Sequence, residues 1–383
     1  MLVELKMREQ DIVGALELWE WYRAALLRVK SQGSANIPTV PKLSFAVLDA
    51  GPELPVLDEI ARHQSALTTQ TIVSYAVLPN GLAIWVYDNR GVHGKWTSSN
   101  SHELTQHLRK FTELCADPKS NISQLRQEGR YLYTVLFAGI ADWLAPDRQL
   151  LIEPDDDMQG SPFEALIDPN GTFLTAHYTL NWSPGLYYAD SLRPQSVFSR
   201  SDRVLVVGPP PGADEEGRPL PALPDAIDEA QTVARQFRLS ALLLHEHATL
   251  ANIRSAMPAS RIFHFAGHAL TRSTHMGLVV ASGTDAAAES PQLLDARNLS
   301  TMDLRQMELA VLSACATENG TDDSPLDPDS LVRIFFRFGV PHVVASRWNV
   351  DSRTTAAMMN SFYAAFSPGQ GSQKSTFGPL GSS

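Results

Sequence analysis

Between Arg203 and Phe366 the chain alternates short unbroken apolar runs with longer stretches whose apolar residues recur every three or four positions. The runs RVLVV (203–207), RIFHFAGHA (261–269), LVVAS (278–282) and LAVLSACA (309–316) have strand length and little polar alternation, the pattern of strands buried on both faces. Leu242–Leu244 and His342–Ser346 add two more strands. Helical spacing fills the intervals at Asp225–Phe237, Leu250–Ala256, Ser330–Phe338 and Arg353–Phe366. Strands and helices alternating at short spacing predict βαβ units, hence an α/β fold with a mostly parallel sheet flanked by helices on both faces.

The N-terminal part reads differently. Ile12, Leu16, Trp19, Tyr22 and Leu26 form one helical stripe. Leu43–Leu48 and a helical segment, DEIARHQSAL (58–67), come next. Two strand patterns, TIVSYAVL and LAIWVYD, then flank Pro79-Asn80-Gly81, whose Asn-Gly pair signals a hairpin. Helical spacing returns over His102–Leu114 and Ile122–Leu144, and a strand-like run at Gln149–Ile152 leads to an acidic turn at Glu153–Asp157. These shifts divide the chain into a smaller α/β unit over 1–143, a larger one over 144–366, and a low-complexity, disordered tail over 367–383.

Composition narrows the functions open to such a fold. With 383 residues the chain is too long for one ordinary core, in line with two units. Only two cysteines occur, so a disulfide scaffold is excluded and a reducing, cytoplasmic setting is expected. The chain shows no secretory apolar segment at its start and no membrane-length apolar run. A formal net charge of -11 opposes nonspecific nucleic-acid binding, which rests on Lys and Arg neutralising phosphates. The Gly/Pro-rich loop after RVLVV has neither GxGxxG nor GK[ST], so no nucleotide cradle is expected there. Asp155, Asp156 and Asp157 lack the alternate spacing of a calcium loop and read as a solvated turn. No metal or other cofactor is expected.

Two strands end in reactive side chains set among small residues: His268 and Cys315. At the carboxyl ends of neighbouring parallel strands these would meet. A free thiol has a pKa near 8.5, so imidazole as base, and later as acid toward the leaving amine, would make Cys315 a nucleophile. The backbone N–H groups of Cys315 and Ala269 are the natural oxyanion donors. A buried cysteine in a strand is equally a small core residue. His264 and His268 as zinc ligands lack a completing Cys or Glu and stand about 13 Å apart on a strand, which favours a core or supporting role for His264. Cys115, at a helix end without a paired histidine, reads as unreactive.

The stretches HFAGHA, LVVAS, LLDARNLSTMDL, LAVLSACATENG and DSLVRIFFRFGVPHVVASRWNVDS together resemble a CHAT domain, a bacterial relative of caspases and separases. LLIEPDDDMQGSPFEALID, RVLVVGPPP and LPALPDAIDEA resemble it in the same order upstream. The resemblance implies a caspase-like fold and a His/Cys dyad, carried here by His268 and Cys315, whose spacing of 47 positions fits the caspase arrangement. Where relatives carry glycine after the histidine this chain has Ala269, which supplies the same N–H as long as its φ is not positive.

The implied activity is that of a cysteine endopeptidase acting on a protein substrate and gated by a partner or signal. No internal repeat occurs here, so a sensor of TPR or other type would be a separate chain or a part outside this sequence. Asp351, in the RWNVDS turn, and Asp225, at a helix start, are candidates to hold a basic P1 side chain; as a helix cap, Asp351 has a structural reading of equal standing. The acidic stretch Glu318–Asp329 reads first as an ordinary mobile loop and otherwise as a field that points the same way, whereas Arg347 would suit an acidic P1. The alternative is a catalytically silent interaction module that kept the fold.

Overall fold

Pro79 and Asn80 reverse the chain between β1 (Gln70–Leu78) and β2 (Gly81–Asp88), and the register from Leu78↔Gly81 to Ile72↔Tyr87 follows from that two-residue turn. The computed structural model describes residues 2–32, 64, 67–158, 160–183, 197–211, 218–272, 275–282, 292–316, 332, 335, 338–348 and 351–366. Leu43–Leu48, most of 58–67, the acidic loop Glu318–Asp329 and the tail over 367–383 lie outside those residues. So does most of 330–338, of which Val332 and Phe335 are helical.

The chain divides into two compact units at Ala189/Asp190. In the first, α1 (Leu2–Arg8) and α2 (Ile12–Gln32) are separated by Gln10 at φ 64. Leu16 and Trp19 are buried as the helical stripe requires, whereas Tyr22 is exposed. A third strand absent from the sequence reading, β3 (Gly91–Ser98), follows the Asn89-Arg90 turn and pairs with β2. Its sequence, GVHGKWTS, has two glycines and a lysine, suited to a half-covered sheet edge. Helix α3 (Ser101–Ala116) precedes α4 (Ile122–Leu136), which stops eight residues short of the expected Leu144, ahead of Gly139. Strands β4 (Gln149–Glu153) and β5 (Leu180–Trp182) then join in parallel, giving the order β3-β2-β1-β4-β5. Residues on both sides of 143/144, where the sequence pattern shifts, share this sheet, since β4 is registered on β1 from Gln70↔Gln149 to Ser74↔Glu153.

The second unit holds β6 (Arg203–Val207), α5 (Pro224–Gln236), β7 (Leu239–Leu243), α6 (Leu250–Ala256), β8 (Ile262–Arg272), β9 (His275–Val280), β10 (Gln292–Leu294), α7 (Ala296–Leu299), β11 (Leu309–Ala316), β12 (His342–Ala345) and α8 (Ser352–Ala364). Strands β7, β6, β8, β11 and β12 lie side by side in parallel. The α/β class expected from the alternation is present, but both sheets are mixed. In the second, β8 runs three residues past the expected Ala269, beyond the end of β6, and β9 folds back antiparallel from Ala269↔Leu278, with β10 antiparallel to β9. Leu205, Val207, Phe263, Phe265, Ala310 and Leu312 face one core with Ile253 of α6 and Phe335. Val204, Val206, Ile262, Ala266, Leu309 and Val311 face the other, with Ala230 and Val233 of α5 and Met359 and Tyr363 of α8. No helix among the described residues is long and apolar enough to cross a membrane.

Candidate active site

The register of β8 against β11 is set at the foot of the sheet. Arg261, just before β8, pairs with Asp202 before β6 (2.8 Å) and with Glu308 before β11 (2.7 Å). The backbone adds to the lock: Glu308 N–H donates to the Arg261 carbonyl at 2.8 Å, and Arg261 N–H to the Arg203 carbonyl at 3.0 Å. With the strand starts aligned and both strands rising about 3.3 Å per residue, positions seven residues on stay in step. Those positions are His268 and Cys315, which are direct register partners. They are in phase with Ile262 and Leu309, on the sheet alternation covered by α5 and α8, and neighbouring strands stand about 4.8 Å apart.

His268 is 3 % exposed, and its Nε2 lies 2.9 Å from the carbonyl oxygen of Pro221. A carbonyl only accepts, so Nε2 carries a proton, and in the neutral ring Nδ1 is the free acceptor. Pro221 is the contact of His268 that the sequence reading did not include. It belongs to the segment Pro219-Leu220-Pro221-Ala222-Leu223-Pro224, in which prolines restrict the backbone and Pro224 opens α5 at its first turn. The only signal in the sequence was that proline spacing ahead of a helix; a backbone acceptor leaves no side-chain signature.

Four residues before His268 on the same face, His264 is fully buried. Its Nδ1 is 3.1 Å from the Tyr363 hydroxyl, and its Nε2 is 3.1 Å from Glu229 Oε1, close enough for an ion pair but outside hydrogen-bond angles. His264 is therefore held by protein groups. Among the described residues no three His, Cys, Asp or Glu side chains gather as a metal would require.

Ala269 is buried in β8 between Ala316 and Leu278, and among the described non-glycine residues only Gln10 and His245 have positive φ, so the condition on its amide is met. Asp225 and Asp351 stand at the N-termini of α5 and α8, both at the carboxyl edge of the sheet, where Ser352 Oγ donates to Asp225 Oδ2 at 2.8 Å and ties the two helices. Asp351 caps α8: its Oδ1 accepts from the Thr354 N–H and hydroxyl, both at 2.9 Å, and the Thr354 bonds hold its carboxyl below the usual range. Ser313 pairs with Ala266, and Arg347 lies partly buried after β12. Away from this edge, Asp155 accepts the Val77 N–H at 2.6 Å, a structural contact in the acidic turn. Burial, with the nearby Glu164 carboxylate, pushes the Cys115 thiol up to about 11.

A comparison with curated proteins finds no match. A family model for the CHAT domain matches residues 126–375, about two thirds of the chain. The matched span begins inside α4, takes in β4 and β5, and contains the whole second sheet with His268, Cys315 and Pro221. The chain belongs to the CHAT domain family.

Proposed function

We propose that this chain is a cysteine endopeptidase of the caspase and separase type, in which Cys315 is the nucleophile and His268 the base. The observation that carries the reading is the direct register of Cys315 with His268, combined with a His268 ring whose Nε2 is already committed to the Pro221 carbonyl. That commitment leaves Nδ1 to take the thiol proton. The thiolate adds to the scissile carbonyl carbon, and the oxyanion is received by the N–H groups of Cys315 and Ala269. As the C–N bond breaks, the proton on Nδ1 passes to the leaving amine, and water, deprotonated by the same nitrogen, hydrolyses the thioester. Throughout, the Pro221 carbonyl keeps the ring from rotating and faces the Nε2–H of the transient imidazolium.

Asp225 and Asp351 favour a basic P1 residue, since both carboxyls sit at the sheet edge that carries the dyad. The setting is the cytoplasm, and a partner protein or signal gates access. The test is a panel of P1-Arg, P1-Asp and P1-Leu reporter peptides with wild type and Cys315→Ala, alongside an electrophilic P1-Arg peptide that traps an active thiol. Cleavage and trapping by wild type alone, strongest with P1-Arg, is the expected result. Equal background signal from both proteins, with Cys315 untrapped, would refute the protease.

A further inference from the structure

His268 and His264 share a face of β8, and each meets the same neighbouring segment at a different height: His268 at Pro221, His264 at Glu229. The segment entering α5 therefore runs antiparallel to β8, and a strand step of about 13 Å separates its two anchor points. Glu229 is 3 % exposed and His264 is not exposed at all, and neither Glu229 Oε1 nor His264 Nε2 has another partner. A buried carboxylate oxygen left without a polar neighbour is costly, and the one such neighbour Glu229 Oε1 has is His264 Nε2 at 3.1 Å. On the other side of the ring, burial keeps the Tyr363 hydroxyl protonated, its pKa well above the usual tyrosine value, and able to donate to Nδ1. One histidine thus joins α5, β8 and α8.

We propose that Glu229 and His264, braced by Tyr363, are positioning residues that set the height of the Pro221 carbonyl against His268. The inference rests on His268 being the base described above, but its readout does not require proteolysis. A free carbonyl on an unanchored proline segment would sample many positions. Ala230 and Val233 pack α5 on the sheet, and the contact of Glu229 with His264 adds a directional polar tie to the strand that carries His268. The Ser352–Asp225 bond ties α5 to α8 and not to β8, so it cannot set that height alone.

The experiment follows the His268 Nε2–H by NMR, through its exchange with water, in wild type, Glu229→Ala, Glu229→Gln and Tyr363→Phe, with thermal unfolding measured alongside. Glu229→Gln keeps a polar oxygen facing Nε2 of His264 and should hold exchange to within about twofold of wild type. Glu229→Ala should exchange at least tenfold faster, and the disulfide labelling of Cys315 should slow in parallel. If Glu229→Ala does not fold, Tyr363→Phe, which loses one oxygen, decides the matter with an expected twofold to fivefold acceleration. Unchanged exchange at His268 in the folded variants, even with a lower melting temperature, would show that the cluster only holds the core together and would overturn the proposal. Changed exchange with an unreactive Cys315 in wild type would uphold the positioning role while refuting the protease.

Discussion

The two cysteines of this chain ought to differ sharply in reactivity, and the contrast isolates what His268 does. Cys115, near the end of α3, is half-buried, and burial together with Glu164 places its thiol at about 11. At pH 7.5 its thiolate fraction is about 3 in 10,000, against about 9 in 100 for a free thiol of pKa 8.5, a deficit of roughly 300-fold. The more basic thiolate is the better nucleophile. A Brønsted slope of about 0.45 returns roughly a factor of 13, leaving Cys115 about 20-fold slower than a free thiol toward a disulfide reagent before any steric hindrance. Cys315, with Nδ1 of His268 as base, should react at least as fast as a free thiol. A short pulse of an aromatic disulfide at pH 7.5, followed by peptide mapping, should therefore find Cys315 modified at least 20 times faster than Cys115. His268→Gln should slow Cys315 about tenfold and leave Cys115 unchanged. Comparable labelling of both cysteines, or a Cys315 rate indifferent to His268→Gln, would refute the reasoning, because the dyad would then not activate its thiol.

Two further outcomes follow from charged groups elsewhere. Glu153, fully buried, accepts from Ser183 Oγ (3.0 Å), Tyr87 OH (3.2 Å) and Arg23 Nη1 (3.4 Å); burial, reinforced by Glu20 and opposed by Arg23, raises its carboxyl from 4.5 to about 7. Folding thus favours the protonated form, so the stability this group contributes is complete below about pH 4.5 and is lost as pH rises through 7, by at most about 3 kcal/mol. Urea unfolding of the first unit from pH 4 to 8 should show that decline, steepest between about 4.5 and 7, in wild type and little of it in Glu153→Gln; equal slopes would count against it. At the second site, Asp351→Asn retains a good helix cap while removing the charge, so the melting temperature should hold while the P1-Arg preference over P1-Leu falls about tenfold. An unchanged preference would reduce Asp351 to its cap.

What the sequence discloses depends on how far a feature reaches along the chain. RVLVV, RIFHFAGHA and LAVLSACA were legible as β6, β8 and β11 because burial on both faces writes itself as an unbroken apolar run. By contrast β3 and β5 were not, since GVHGKWTS and LNW are short or glycine-bearing edge strands, stabilised by neighbours that arrive from elsewhere. The mixed sheet was missed for a related reason: the extension of β8 to Arg272 follows from where β6 stops and not from the residues LTR. The pairing of β4 on β1 was not legible either, because parallel pairing over nearly 80 positions leaves no local mark.

The candidate site divides along the same line. His268 and Cys315 were visible as side chains at the ends of apolar runs, but their adjacency needs a register, and the register is fixed seven residues earlier by Arg261, Asp202 and Glu308, each of which reads alone as an ordinary surface charge. The tautomer of His268 is likewise set by a backbone oxygen, and any residue with a carbonyl at position 221 would offer one. What is particular to Pro221 is the stiffness of its segment and, through Glu229 and His264, its tether to the strand that carries His268. The proposed chemistry rests on two residues, whereas the geometry that would make them a pair is distributed over charges at the foot of the sheet and prolines at the entrance to α5. A change at Arg261 would be expected to act on Cys315 without touching it, by letting β11 slip against β8. A slip of one residue would move position 315 out of phase with His268 altogether.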